Sequence, residues 1–253
     1  MIIDSHCHLY DEAFEHDFDE VYKRALDRGV GKFLMVGCKK DSNLKVINLQ
    51  NKYKESFATI GVHPSYVDEV DLDYFNELEE LIKTNKIYAI GECGLDYYWT
   101  KDNIAVQKTF FLRQIDLAIK YDLPLVIHCR DAVADMFDIL NEYKGKIRFV
   151  LHGYSGSLEM AKRFITIGGK IGIGGVVTFK NAINVKQTVE GIDLKHILLE
   201  TDCPYLTPAP NRGKRNEPSY LEHIALAVAV LKNVTYDEVV NQTTKNSEEL
   251  FKI

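Results

Sequence analysis

His6 and His8 stand two apart in the run Ile2-Ile3-Asp4-Ser5-His6-Cys7-His8. Residues two apart on a β-strand face the same way, so both imidazoles can reach one metal ion. Four more residues of ligand type close β-like runs downstream: Glu92 after Ile87–Gly91, His128 after Leu125–Ile127, His152 after Arg148–Leu151, and Asp202 after Ile197–Thr201. Each alone has an ordinary explanation, such as a hydrogen-bonded histidine or an aspartate opening a turn before Pro204. Together they are hard to derive from packing needs. Imidazole nitrogen with carboxylate oxygen suits Zn, Mn, Ni, Fe or Co, with Mg at an oxygen-rich position. Six such residues exceed the three ligands usual for one catalytic zinc and suffice for two divalent ions, with Mg, Mn or Zn as the expected species. Glu92, with two oxygens, is the natural bridge. Two ions ~3.5–4 Å apart can activate a water and clamp a phosphoryl oxygen.

The cysteines test this geometry. Cys7, Cys93, Cys129 and Cys203 each follow one of these residues directly. In an extended segment they face away from the site, into the layer under the helices, as small buried hydrophobes. Cys38, after Gly37, is expected to do the same. His63 closes Gly61-Val62-His63-Pro64 and either contacts substrate or serves structure. Arg130, two after His128, either meets a phosphate or pairs with Asp131 or Asp135. Asp4 and Glu200 precede His6 and Asp202 by two and are expected to support them or fill the interior. Arg212, Lys214 and Arg215, in Asn211–Pro218, are either an anion site or a solvated loop, and Lys101 and Lys180 extend the same possibility. Tyr97-Tyr98-Trp99 either stacks on a base or packs its own loop.

The elements that must carry these groups are eight short, nearly continuous apolar runs: Ile2–His6, Lys32–Gly37, Phe57–Pro64, Ile87–Glu92, Leu125–His128, Arg148–His152, Gly169–Ile173 and Ile197–Asp202. Such runs are expected of strands buried on both faces in a parallel sheet. Amphipathic stretches at helical spacing lie among them: Phe18–Arg28, Leu72–Lys83, Val106–Tyr121, Ala132–Tyr143 and Leu158–Ile167, with Pro218–Leu231 and Tyr236–Phe251 after the last strand. Asp41-Ser42 and Ser157 suit helix starts, and Gly29 and Gly168 suit stops. Eight alternations in about 250 residues predict an α/β fold, a (β/α)8 TIM barrel forming a single domain over residues 1–253. A doubly wound open sheet is the other arrangement. It would spread the candidate ligands along an edge, whereas a barrel gathers the carboxyl ends of strands one, four, five, six and eight over one mouth.

Bulk properties set limits. The 253 residues are 46% hydrophobic with a net charge of −6, which lacks the global basic signature of a non-specific nucleic-acid coat. No apolar run approaches the ~20 residues of a membrane span, and no signal-peptide pattern opens the chain. Five cysteines without CxxC spacing fit a reducing compartment, so a cytoplasmic setting is expected.

The motifs resemble the TatD family of metal-dependent deoxyribonucleases, among the amidohydrolase-like barrels. The carriers are Asp4-Ser5-His6-Cys7-His8-Leu9, Gly61–Pro64, Gly91-Glu92-Cys93-Gly94-Leu95-Asp96-Tyr97-Tyr98, His128-Cys129-Arg130-Asp131-Ala132, Leu199–Leu206 and Arg212–Pro218. The resemblance covers essentially the whole chain. It implies that His6, His8, Glu92 and Asp202 surround one ion, and Glu92, His128 and His152 the other. It implies phosphodiester hydrolysis of DNA, often exonucleolytic from a 3′ end and on single strands. For such a substrate His63, Arg130, Lys214 and Arg215, by their own positions, are the expected contacts. Glu92 stands where many related amidohydrolases carry a carboxylated lysine. His152-Gly153-Tyr154-Ser155-Gly156 departs from the family's usual His-Cys-Phe-Ser-Gly, which is expected to alter the pocket. The alternatives are amide or lactone hydrolysis of a small molecule on the same scaffold, and a non-catalytic metal-stabilised binding module.

Overall fold

The computed structural model describes residues 1–253. Eight strands run in sequence order: β1 Ile2–Cys7, β2 Val30–Val36, β3 Ser56–Ile60, β4 Ala89–Asp96, β5 Leu125–Arg130, β6 Phe149–Leu151, β7 Gly169–Ile173 and β8 Ile197–Leu199. Each pairs in parallel with the next. Backbone bonds from His8 N–H to the Cys203 carbonyl and from Asp202 N–H to the His6 carbonyl, both 2.9 Å, bring the chain after β8 onto β1. Between them the buried Asp4 carboxylate accepts from the Thr201 amide (2.9 Å) and hydroxyl (2.6 Å), standing in for ladder bonds at that seam. The result is the nearly closed TIM barrel expected, as a single domain. No helix is long and apolar enough to cross a membrane.

Nine helices surround it: α1 Phe18–Asp27, α2 Lys40–Lys52, α3 Tyr74–Thr84, α4 Ile104–Lys120, α5 Val133–Glu142, α6 Leu158–Thr166, α7 Ile183–Gly191, α8 Leu221–Lys232 and α9 Tyr236–Phe251. For α2 the sequence offered only its start, and α7 was not foreseen. It buries just Val185, Thr188 and Val189, too sparse an apolar stripe to read as helical.

Strand alternation divides the core in two. Ile2, Phe33, Met35, Leu125, Ile127, Phe149, Leu151, Ile197 and Leu199 join the large cluster under the helices. Ile3, Leu34, Val36, Ala89, Val126, Val150 and Leu198 form a separate cluster with Leu250 and Phe251 of α9. That cluster is the barrel interior, and α9 plugs its amino-terminal end.

Two strands break strict alternation. Ile3 belongs to the interior cluster and Cys7, four residues on, to the outer one, so the face changes along β1. Ala89 and Cys93 do the same on β4. Register irregularities between Asp4 and Cys7, and between Ile90 and Cys93, make both switches. A bulge adds one residue and re-aims the side chains beyond it. These two aim His6, His8 and Glu92 into the mouth. β4 then runs on to Asp96, four residues past the predicted end, with Gly94 at φ +133° against the His128 carbonyl, where a Cβ would collide.

Candidate metal centre

The carboxyl ends of the strands deliver six groups to one point. Glu92 is central and almost fully buried. Its Oε1 lies 2.8 Å from His152 Nε2, 3.2 Å from His128 Nδ1 and 3.4 Å from His63 Nε2. Its Oε2 lies 3.6 Å from His6 Nε2 and 3.7 Å from His8 Nε2. Asp202 completes that second side, with Oδ1 3.6 Å from His6 and 3.4 Å from His8. The two oxygens of one carboxylate therefore face two separate sets of imidazoles.

Partners behind the rings fix which nitrogen carries hydrogen. His8 Nδ1 is 2.9 Å from the Val36 carbonyl, which can only accept, so Nδ1 donates and Nε2 presents a lone pair to the site. His128 Nε2 donates to Asp96 Oδ2 at 2.8 Å, which leaves its Nδ1 for the site. His63 is oriented the other way. Its Nδ1 accepts the Ser65 amide at 3.1 Å, so the hydrogen sits on Nε2 and faces Glu92. His63 lies close enough to Glu92 and His128 for a shared ion, but its tautomer makes it a hydrogen-bond donor there.

Charge follows burial and neighbours. Burial opposes ionisation of Glu92, but the surrounding His63, His152 and His128 outweigh it and hold the carboxyl well below the usual range. Asp202 is likewise lowered against burial by His8, His152 and His6. Burial drives His63 down to about 3, so it is neutral near pH 7. His6 and His152 stack at 3.9 Å, and the Nδ1 of each is buried without a partner. His6 and His8 bring their Nε2 atoms within 3.1 Å. Imidazoles packed this tightly around two ionised carboxylates form a donor set that fits divalent cations. Without a cation, and against burial, Asp96 and Glu92 raise His128, and Glu92 and Glu200 raise His152, above the usual histidine range; His8 is raised too. Three groups have ligand atoms mutually within 4.8 Å: His6, His8 and Glu92; His6, His152 and Asp202; and His63, Glu92 and His128.

The centre opens into a cleft of about 770 Å³. Cys38 lines it, contrary to expectation, and its thiol donates to Glu92 Oε2 at 3.3 Å. β2 ends at Val36 and the chain turns at Gly37, so strand alternation no longer governs Cys38. Cys7, Cys93 and Cys203 do face the helix layer, with Cys7 Sγ donating to the Leu34 carbonyl at 3.4 Å.

Arg130 lines the cleft and ion-pairs with neither Asp131 nor Asp135; its guanidinium rests 3.6 Å from the Tyr98 ring centre. Lys39 and Lys45 are cleft cations that the sequence reading missed. The loop cations sit elsewhere. Arg215 is held by both oxygens of Asp17, at 2.8 and 2.6 Å, and Arg212 stacks on Phe179 at 3.7 Å. Lys214, Lys101 and Lys180 are not among the cleft-lining residues. Glu200 takes the Gly153 amide and lies 3.7 Å from His152 Nδ1. Tyr154 is buried and donates to the Ser157 carbonyl at 2.7 Å, so neither Gly153 nor Tyr154 reaches the cleft. Asp96 also escaped the sequence reading, although an even spacing of four from Glu92 along one strand would have placed it on the same face.

A family profile described as TatD related DNase matches residues 3–252. The chain belongs to the TatD family. It is a metal-dependent hydrolase of that family. YabD of Bacillus subtilis strain 168, an uncharacterized metal-dependent hydrolase, is 40% identical over 256 residues spanning 100% of both chains. YcfH of Escherichia coli K12, described in the same words, is 35% identical and matches 100% of this chain and 96% of its own. The crystal structure of the TatD homologue YjjV from Escherichia coli K12 superposes with a TM-score of 0.94 at 29% identity, covering 100% of this chain and 98% of that one.

Proposed function

We propose that the protein hydrolyses phosphodiester bonds of DNA, acting as an exonuclease from the 3′ end of single strands, with two divalent ions. The observation that carries the two-ion reading is Glu92, whose Oε1 and Oε2 each face their own imidazoles. On that arrangement His6, His8, Glu92 and Asp202 would hold one ion, and Glu92, His128 and His152 the other. When bound, such ions supply the Lewis-acid charge that polarises a water and a phosphoryl oxygen.

The chain's own groups do the rest. Asp202 orients the attacking water and accepts its proton on a carboxylate oxygen. His63 Nε2–H donates to a non-bridging phosphoryl oxygen as charge develops there. Arg130 and Lys45, exposed at the cleft and free of carboxylate partners, attract the flanking phosphates of the strand. These cleft cations give an acidic protein a local anion site, and the family's description as a DNase supports the same substrate.

The test is metal-free protein reconstituted with Mg, Mn or Zn and assayed on end-labelled single- and double-stranded DNA, alongside amide and lactone panels. Metal-dependent release of mononucleotides from a 3′ end is the expected result. Turnover of only the amides or lactones overturns the nuclease reading.

A further inference from the structure

We propose that Trp99 and Tyr98, backed by Arg130, form a stacking platform for an unpaired nucleobase at the rim of the cleft; this rests on the nuclease reading above and names how that site takes its substrate. The aromatic run divides after Tyr97. The Tyr97 hydroxyl donates to Asp135 at 2.8 Å and its ring packs on the core. Tyr98 and Trp99 are left 54% and 70% exposed. Single exposed apolar residues are ordinary on protein surfaces. Here three further observations make a built surface. Asp96 Oδ1 accepts the backbone N–H of Tyr98 at 2.9 Å and of Trp99 at 3.4 Å, which fixes the turn that presents both rings. Tyr98 meets Trp99 at 5.0 Å and 85°, so one ring does not blanket the other and an indole face stays open. Arg130 lies over Tyr98 at 3.6 Å and 5.5 Å from the Trp99 ring centre, with no carboxylate to neutralise it.

The occupant follows from this chemistry. A planar π-surface beside an unpaired guanidinium matches a base attached to a phosphate: the base stacks on the ring and the phosphate meets the cation. Trp99 and Arg130 line the same cleft as Glu92 and Asp202, so the stacked base belongs to the strand held in that cleft. In a duplex the base faces are already buried against their neighbours. The platform therefore selects single strands and frayed ends. Asp96 ties this surface to the centre, since its other oxygen holds His128.

Trp99 is the single tryptophan of the chain, so its fluorescence reports this surface directly. The full-length protein with Mg is titrated with a phosphorothioate-linked thymidine tetramer, and separately with an abasic tetramer of equal phosphate count. Saturable quenching by the first and none by the second is expected. Anisotropy of a labelled thymidine tetramer is expected to show about tenfold weaker affinity for Trp99→Ala, with Trp99→Phe close to wild type. Equal quenching by both tetramers, or an unchanged affinity in a folded Trp99→Ala protein, overturns the platform. Base-dependent quenching without any DNA cleavage upholds the platform and removes the nuclease reading, whereas cleavage without quenching removes the platform alone.

Discussion

The Asp96 carboxylate holds His128 Nε2 at 2.8 Å through one oxygen and the turn of Tyr98 and Trp99 through the other. It therefore orients a candidate ligand and an exposed aromatic surface together. Asp96→Asn separates the two roles. The amide oxygen still accepts the turn N–H groups, but the amide nitrogen meets His128 Nε2 as a donor and favours the wrong tautomer. Such partners behind a ligand are worth about 10–100-fold in metal affinity. A competitive-chelator titration is expected to show that loss while the Trp99 emission maximum holds. Unchanged affinity would sink the positioning role.

Metal binding is expected to stabilise the fold strongly. Ions present at about 100 times their Kd add roughly 2.7 kcal/mol, which for a chain of this size raises Tm by roughly 5–10 °C. Thermal melts with EDTA, Mg, Mn and Zn measure this directly. Glu92→Ala is expected to abolish most of the rise, because both sets of imidazoles face that carboxylate. Lys214→Ala, exposed and outside the cleft lining, is expected to keep it.

The positions of the ligand-type residues were legible because each closes an apolar run, and apolar runs follow from burial on two faces. The cysteines after them were legible by the same alternation. The bulges in β1 and β4 were not, since one extra backbone residue leaves no signature in hydrophobic pattern. Strict alternation would have set Glu92 on the outer face with Ile90, and only the shift beyond Ile90 turns it inward. Cys38 was misplaced because the strand stops two residues before it. Arg215 was read as free because Asp17 is 198 residues away in sequence, and no local pattern announces such a pair.

That distant pairing carries a pH-dependent share of stability. Glu217, in the same Asn211–Pro218 loop as Arg215, accepts Arg24 of α1 at 2.7 and 3.0 Å and the Ser219 hydroxyl at 2.5 Å. Burial opposes its ionisation, but the Arg24 hydrogen bonds, Ser219 and nearby Arg215 outweigh it and lower its pKa. Asp17 is lowered too, chiefly by Arg215. A lowered carboxyl stabilises the fold fully above its unfolded value, near 4.3 for glutamate, and loses that contribution as pH falls through the folded value. Glu217→Gln is expected to cost about 1–2 kcal/mol at pH 7, since Arg24 is partly solvated. Urea midpoints should show the gap to wild type narrowing below about pH 4. A gap that widens toward acid would mean the pair does not govern this stability.

Asp202 offers the sharpest separation of chemistry from structure. Its backbone is left-handed, at φ +57°, and its amide donates to the His6 carbonyl across the seam. Asparagine tolerates that conformation nearly as well as aspartate, whereas alanine adds roughly 1–2 kcal/mol of strain. Asp202→Asn thus keeps the loop, the seam and the side-chain shape, and removes the charge, which weakens the hold on one ion, and the capacity to accept a proton; assay at saturating metal separates the two. Loss of a general base is worth about 10²–10⁴ in rate. We expect kcat on single-stranded DNA to fall by that factor with KM little changed, in protein whose metal content, measured by elemental analysis, matches wild type. Asp202→Ala should lose the same activity and melt earlier. Near-normal kcat in metal-replete Asp202→Asn would move the proton acceptor to another group, and the cleft offers Glu92 as the alternative carboxylate.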